Sequence, residues 1–293
     1  MEKINSNVLS ALILTFNEEE NIGRVLDKLG WLERIIVLDS HSTDTTIDIV
    51  KSYPNTELHF RDFDTHSTQW NYGLSLMTSQ WVLTLDADYV LTPEFISEAR
   101  MFVRKPEKVA YFSKFKFVVF GKPLRRNNTT PRPVLFQKDH CTYFDDGHTQ
   151  RLAIRGDSGS FNAFILHDDR KPLSRWVRNL DNYSIMECRK MLDTGNSSPN
   201  SLVVRIRKTK FLAPFFVLFY CLFVNGALLD GWRGWHYTIQ RTLVELLFAL
   251  RLIEEEKLRK QTNKDERQVS MSAGSRSKHP VYESDAKFRV NRQ

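Results

Sequence analysis

Apolar runs and amphipathic segments alternate along the N-terminal third of this chain, and few folds accept that rhythm. "VLSALILTF" (8–16) reads as a buried strand, and "NEEENIGRVLDKLG" (17–30) as an amphipathic helix with acids in its first turn and Gly30 at its end. "RIIVLDS" (34–40) is a second strand, followed by a helix in "STDTTIDIVKSY" (42–53), opened by the capping residues Ser42, Thr43 and Asp44. "NTELHF" (55–60) is a weaker third strand, "STQWNYGLSLMTS" (67–79) a helix and "WVLTL" (81–85) a fourth strand. Strands separated by helices imply a parallel sheet with helices on both faces, an α/β fold. Ligands of such sheets bind beyond the carboxyl ends of the strands. Thr15, Asn17 and Glu18 follow the first strand, Asp39 ends the second, and Asp86 and Asp88 follow the fourth. Their clustering predicts one nucleotide-sized crevice.

Beyond it, residues 109–165 turn to shorter β-like segments, "VAYFSKFKFVVFG", "RPVLFQKD" and "RLAIRG", and a helix is expected from Pro172 to Leu192. A chain of 293 residues allows one large domain, or a domain with an appendage. The net charge of +7 suits a partner that carries phosphate: nucleotide, nucleic acid or an anionic membrane. The excess sits mainly in the linker and tail, without interleaved stacking residues, which argues against nucleic acid. Cys141, Cys188 and Cys221 are far apart and fit a reducing, cytosolic setting. The apolar run near the N-terminus is short, interrupted by Ser10 and followed by acids, so it reads as a core strand and not a secretory signal.

In the C-terminal third, Phe211 to Val224 carries no charge, and with Ala227 to Leu229 it approaches the roughly 20 residues that cross a bilayer. Pro214, Asn225, Gly226 and Asp230 interrupt or end it. "TIQRTLVELLFALRLIEEE" (238–256) then shows helical spacing, with Arg241 and Glu245 off the apolar face. The plain reading is a buried helix pair. Its Phe and Trp content, behind Arg205, Arg207, Lys208 and Lys210, suits monotopic attachment at an anionic leaflet. The tail from 257 to 293 is charged, poor in large apolar residues and expected to be mobile.

Residues two apart in a strand face the same side, so Asp86 and Asp88 can converge on one cation; the alternative is a cap and turn before the helix at Pro93. Mg2+ or Mn2+ takes hard oxygen ligands and bridges carboxylates to substrate phosphates. "DADYV" also fits the nucleophile motif of haloacid-dehalogenase phosphohydrolases, with Asp86 as nucleophile. In that class the nucleophile strand normally comes first, whereas here two βα units precede it.

In order and spacing, "LTFNEEENI", "VLDSHSTDTT", "QWNYGL" and "TLDADYVLTPEF" resemble the successive motifs of inverting family 2 glycosyltransferases, which have the GT-A fold. "YFDDGHTQRLAIRG", "ILHDDRKPLSRW" and "DGWRGWHYT" resemble the subgroup of lipopolysaccharide core β-glucosyltransferases and extend the likeness to about residue 250. The resemblance implies a Rossmann-like, mostly parallel sheet in a GT-A domain over 1–200. Its donor half would span about 1–108 and its acceptor half 109–200, followed by a membrane-associating helical region over 201–256. It implies that Thr15, Asn17, Glu18 and Asp39 contact the uracil and ribose of a UDP-sugar. Asn71 would line the donor pocket, and Asp86 and Asp88 would form the metal-binding DxD motif, with Asp88 the more direct ligand.

Inverting transfer needs a carboxylate to take the acceptor's proton. The family often places Glu-Asp where this chain has Asp168 and Asp169, so either is a candidate base. His167 would be a third metal ligand, or else a structural histidine. Arg170 and Lys171 would hold the diphosphate or an acceptor phosphate, and Asp146, His148 and Gln150 the acceptor side. The implied activity moves a hexose to a glycan or glycolipid acceptor at the cytoplasmic face of a bacterial inner membrane. The alternative from another class is a catalytically inactive, membrane-tethered relative.

Overall fold

A computed structural model describes residues 3–126, 130–146, 149–193 and 202–276. The expected alternation forms one edge of a mixed sheet. Strands β1 (Leu9–Thr15), β2 (Ile35–Asp39), β3 (Thr56–Phe60) and β4 (Trp81–Asp86) run parallel in the order β3-β2-β1-β4. β1, β2 and β4 are apolar almost throughout because both faces are covered. β3 is the half-exposed edge, which explains its weaker pattern. Side chains alternate between two cores: Ala11, Ile13, Val37 and Leu83 face one, Leu12, Ile36 and Val82 the other.

Helix α1 covers only Ile22–Leu26 and α2 only Thr46–Lys51, both shorter than expected. The missing turns are loops that bond to each other. Asn17 adopts a left-handed backbone (φ 55°), and its carboxamide oxygen accepts from the Thr43 amide at 2.7 Å. Ser42 Oγ accepts from the Asn17 amide and Thr46 Oγ1 from the Glu18 amide, each at 2.7 Å. Those amides are therefore satisfied without a helix.

Helix α3 (His66–Ser75) opens with a capping box between Thr65 and Thr68. After β4 come a short strand β5 (Tyr89–Leu91) and helix α4 (Pro93–Arg104), capped by Thr92 Oγ1 on the Phe95 amide. No acid is needed as a cap there. The sheet continues through β6 (Ala110–Val119), β7 (Lys122–Pro123), β8 (Arg132–Gln137) and, beyond the hairpin β9 (Cys141–Asp146) and β10 (Thr149–Ile154), β11 (Ser158–His167). β8 is antiparallel to both β4 and β6, β11 is parallel to β6, and β5 closes the edge against β11. The hairpin packs Cys141 and Tyr143 against Trp70 of α3.

Helix α5 (Leu173–Asp193) matches its expected span, and α6 covers Leu202–Lys208. The uncharged segment is broken into α7 (Ala213–Phe219), a π-helical turn (Tyr220–Val224) and a 3-10 turn (Ala227–Asp230), with left-handed Gly226 (φ 65°) between the turns. Among the described residues no helix is long and apolar enough to cross a membrane. Helix α8 then runs unbroken from Trp232 to Arg276. The first part of the tail expected to be mobile is thus helical, because Glu255, Glu256, Arg259 and Lys260 place opposite charges four residues apart among good helix formers. Residues 277–293 lie outside the described part.

The basic run before α7 is partly internal. Arg207 bonds Glu245 at 2.8 Å and Glu187 at 2.9 Å and lies over the Phe248 ring. Lys210 pairs with Glu256 at 2.5 Å.

Candidate active site

The chain visits β1, β2 and β3 outward and then returns to lay β4 on the other side of β1. Loops diverge at such a reversal and leave a crevice at the strands' carboxyl ends. A cavity of about 1740 Å³ lies there, lined from one side by Thr15, Glu18, Asp86 and Asp88 and from another by His167, Asp168, Asp169 and Lys171. The expected residues from opposite ends of the motif series therefore meet.

Asp86 ends β4, but Ala87 and Asp88 form a turn. The two acids face one cavity because the chain bends after Asp86, not through strand alternation. Burial, then the neighbouring Asp88, raises the Asp86 pKa. Asp88 is buried too, yet His167 beside it and then Lys171 hold its pKa below the ordinary value. His167 Nε2 lies 3.1 Å from Asp88 Oδ2. Burial disfavours charge on His167, but Asp88 and then Asp86 outweigh it and raise the imidazole pKa.

The other Asp88 oxygen, Oδ1, is buried and has no hydrogen-bond partner. Such an orphaned anionic oxygen beside a second carboxylate fits a divalent cation. Asp86, Asp88 and His167 do not close on a single point. Among the described residues, the only three acids or histidines with ligand atoms within 4.8 Å of one another are Glu19, Glu20 and Asp44, outside this cavity. Arg175 pairs with two of these, Glu20 at 3.0 Å and Asp44 at 3.7 Å.

The acidic pair at 168–169 is differentiated by its partners. Asp168 is buried, and its Oδ2 accepts from Arg24 and from Arg170 Nε (3.2 Å) and Nη2 (3.0 Å). Its amide donates to the Asp88 carbonyl at 3.0 Å, tying this loop to the β4 turn. Asp169 Oδ1 accepts from Asn21 Nδ2 and from the Lys171 amide, both at 3.0 Å. Lys171 Nζ reaches Glu18 at 2.7 Å and Asp169 at 3.4 Å. Burial leads in raising the Glu18 pKa, against the opposing pull of Lys171.

The remaining candidates divide. Gln150 and Arg170 line the cavity, whereas Asn17, Asp39 and Asn71 are not among its lining residues. Asp39 sits fully buried one layer behind, accepting from Thr15 Oγ1 (2.8 Å), the Ser42 amide (2.7 Å) and Ser42 Oγ (2.6 Å). Asn71 exchanges two hydrogen bonds with the Tyr143 backbone, at 2.8 and 3.0 Å, and so locks α3 to β9. His148 lies outside the described residues, as does the Asp146 side chain.

Sequence reasoning passed over Asn21 and Arg24. Asn21 sits inside the quoted "LTFNEEENI", and both lie in the segment 17–30, read only as a helix. Fully buried Asn21 gives its amide to Glu18 (2.8 Å) and Asp169, and its oxygen accepts from Arg24 (2.6 Å) and the Arg170 amide (2.9 Å). It also passed over the far wall. Arg132 donates to the Tyr89 hydroxyl at 3.2 Å, and Tyr237 of α8 lies 5.3 Å from Phe117, itself 4.8 Å from the His167 ring. No local pattern announces those contacts, which join segments distant in sequence.

The model of the family described as "Glycosyl transferase family 2" matches residues 10–168. Among curated proteins, the lipopolysaccharide core biosynthesis glycosyltransferase LpsC of Rhizobium meliloti is 23% identical over 275 residues, covering 88% of this chain and 96% of its own. An uncharacterised glycosyltransferase of Rickettsia typhi is 23% identical over 253 residues, covering 76% of this chain and 81% of its own. Among solved structures, the mannosyltransferase PcManGT of Pyrobaculum calidifontis, in complex with GDP-Man and Mn2+, aligns with a TM-score of 0.50 at 13% identity. That alignment covers 86% of this chain and 88% of that one, and the fold is accordingly GT-A-like. The matched segment runs from β1 to Asp168 and takes in Glu18, Asp86, Asp88 and Asp168, ending one residue before Asp169, and the chain belongs to glycosyl transferase family 2.

Proposed function

We propose that this enzyme transfers a hexose from a UDP-sugar, with inversion, to a lipid-linked or lipopolysaccharide-core glycan, and that Mg2+ or Mn2+ assists. The observation that carries the reading is the orphaned Asp88 Oδ1, buried beside Asp86 at the carboxyl end of β4. The similarity to LpsC, a lipopolysaccharide core biosynthesis glycosyltransferase, supports the class of acceptor. A lipid-linked acceptor places the reaction at the cytoplasmic face of the inner membrane.

Asp86 and Asp88 would hold the ion, with His167 orienting Asp88 from behind. Held by these carboxylates, a divalent cation would supply neutralisation of the charge on a diphosphate leaving group without proton transfer. The chain's own residues do the rest. Asp169 is the general base. Its bonded oxygen accepts from two neutral amides, so its second oxygen can take the acceptor hydroxyl's proton. Asp168 is the positioning residue. Two guanidinium groups already occupy one of its carboxylate oxygens and fix the side chain in place. Lys171, held between Glu18 and Asp169, is placed to meet donor phosphate. Thr15 and Glu18 face the nucleoside, with Asp39 bracing Thr15 from behind. The family match does not favour a phosphohydrolase nucleophile at Asp86.

A thermal-shift series with nucleotide sugars tests the reading, since a ligand bound only by the folded state raises Tm by mass action. UDP with Mn2+ should raise Tm, EDTA should abolish the rise, and Asp88→Asn should lose it. No rise with any nucleotide sugar and either metal would overturn the assignment.

A further inference from the structure

We propose that α7, the turns that follow it and the start of α8 form a face that docks on an anionic bilayer surface. In this arrangement phenylalanine and tryptophan rings enter the headgroup region and basic side chains meet lipid phosphates. The proposal rests on the reading above only in giving docking a purpose. The face itself is argued from exposure and charge.

Helix α7 and its π-helical turn have a fixed orientation. Ala213, Pro214, Cys221 and Leu222 are buried against the body, while Phe215, Phe219 and Phe223 stay 60–61% exposed. Phe219 and Phe223 stack on each other at 5.7 Å, so the rings form one outward surface. Trp232, at the head of the helix that packs along α7, is 55% exposed. From a different element, Phe120 joins the same surface. It sits on the β6–β7 turn with a left-handed backbone (φ 47°), is 69% exposed and lies 5.3 Å from the Trp232 ring. Water-soluble surfaces seldom gather so many large rings without covering them. Aromatic residues beside cations are what a membrane–water interface accommodates.

The charge around this face is selective. Of the basic residues just before α7, Arg207 and Lys210 are committed to Glu245, Glu187 and Glu256. Exposed cations here include Lys122 beside Phe120, Lys208, and Arg125, whose backbone amide is anchored by Asp230 and whose Nε lies 3.8 Å from the same carboxylate. Arg233 lies over the Trp232 ring at 4.6 Å. A second copy is a poor occupant, because a two-fold contact through this face would set these cations against themselves. An anionic leaflet complements both the rings and the charges.

The face also adjoins the cavity. Phe120 lines the cavity as well as the exposed surface, and Trp232 lies on the same helix as cavity-lining His236 and Tyr237. Docking would bring the mouth of the site beside the lipid that carries the acceptor.

Sedimentation of the full chain with vesicles tests this, comparing phosphatidylcholine alone with phosphatidylcholine plus phosphatidylglycerol. The protein should pellet with the anionic vesicles, bind the neutral ones more weakly and be released by salt. The combined Phe215→Ser, Phe219→Ser, Phe223→Ser variant, and separately the Arg125→Gln, Lys208→Gln variant, should each lower anionic-vesicle affinity on the order of tenfold. The charge variant is confined to exposed side chains and keeps the test decisive if the triple variant fails to fold. Absence of anionic-vesicle binding by the wild type would overturn the proposal. So would a stable dimer that the Phe substitutions dissociate. If vesicles fail to bind while UDP and Mn2+ still raise Tm, docking falls and the transferase reading stands; vesicle binding without any nucleotide response has the opposite meaning.

Discussion

At the scale of single residues, two adjacent carboxylates have different partners, and the proposed division of duties rests on that difference. Asp168 is clasped by Arg24 and Arg170, while Asp169 meets two amides and, at longer range, Lys171. Asp169→Asn should cut turnover by about 10²–10⁴-fold and leave the UDP–Mn2+ thermal shift intact. Asp168→Asn should instead lower Tm, because two guanidinium groups in a partly buried site lose their counter-ion, at a cost of roughly 3 kcal/mol. Equal loss of turnover with unchanged Tm in both variants would show that the duties are misassigned. The acidic pair was legible in the sequence, but its division was not. That division depends on Asn21 and Arg24, about 145 positions away by the 144–149 separations of their bonds. Asp86 and Asp88 were legible as a pair, although a turn and not strand alternation brings them together.

At the scale of elements, β1, β2 and β4 were read nearly to the residue because burial on both faces writes an uninterrupted apolar run, whereas β5, β9 and β11 were not read as strands. The first two helices were overextended because their expected first turns bond across to each other, which a local pattern cannot reveal. Helix α8 shows a tighter constraint. A Cβ at Gly234 would stand 1.8 Å from the Ala227 carbonyl oxygen, so the helix lies directly on the 3-10 turn before it. Gly234→Ala should therefore destabilise the protein by about 2 kcal/mol or more despite alanine's better helix propensity, whereas the same change at unobstructed Gly30 should be far milder. Chemical denaturation of the two variants checks this. Similar midpoints would mean that α8 is free to move away from the turn.

Across the whole molecule, the cysteines report on solidity. All three are buried, and burial pushes the Cys141 and Cys188 thiols up to about 11. In the native protein at pH 8 they should resist iodoacetamide, and in denaturant all three should react; rapid native labelling would indicate that these cores open readily. The sign for stability follows. Unfolded thiols ionise near pH 9, before the folded ones, so this contribution to stability is lost as pH rises from about 9 towards 11. The α/β architecture and the location of its crevice were legible in the order of the N-terminal segments. Of the wall supplied by α5, α8 and the β9–β10 hairpin, Gln150 was legible as a site residue and the rest was not, since it is set by packing between segments far apart in the chain. Asn21 stitches the loop after β1 to the loop after β11, so those two edges of the site form a single piece. The opposite wall has its own small core of Cys188, Phe248 and Leu252. With separate cores behind them, the two walls can accept substitutions independently, so repacking one need not disturb the other.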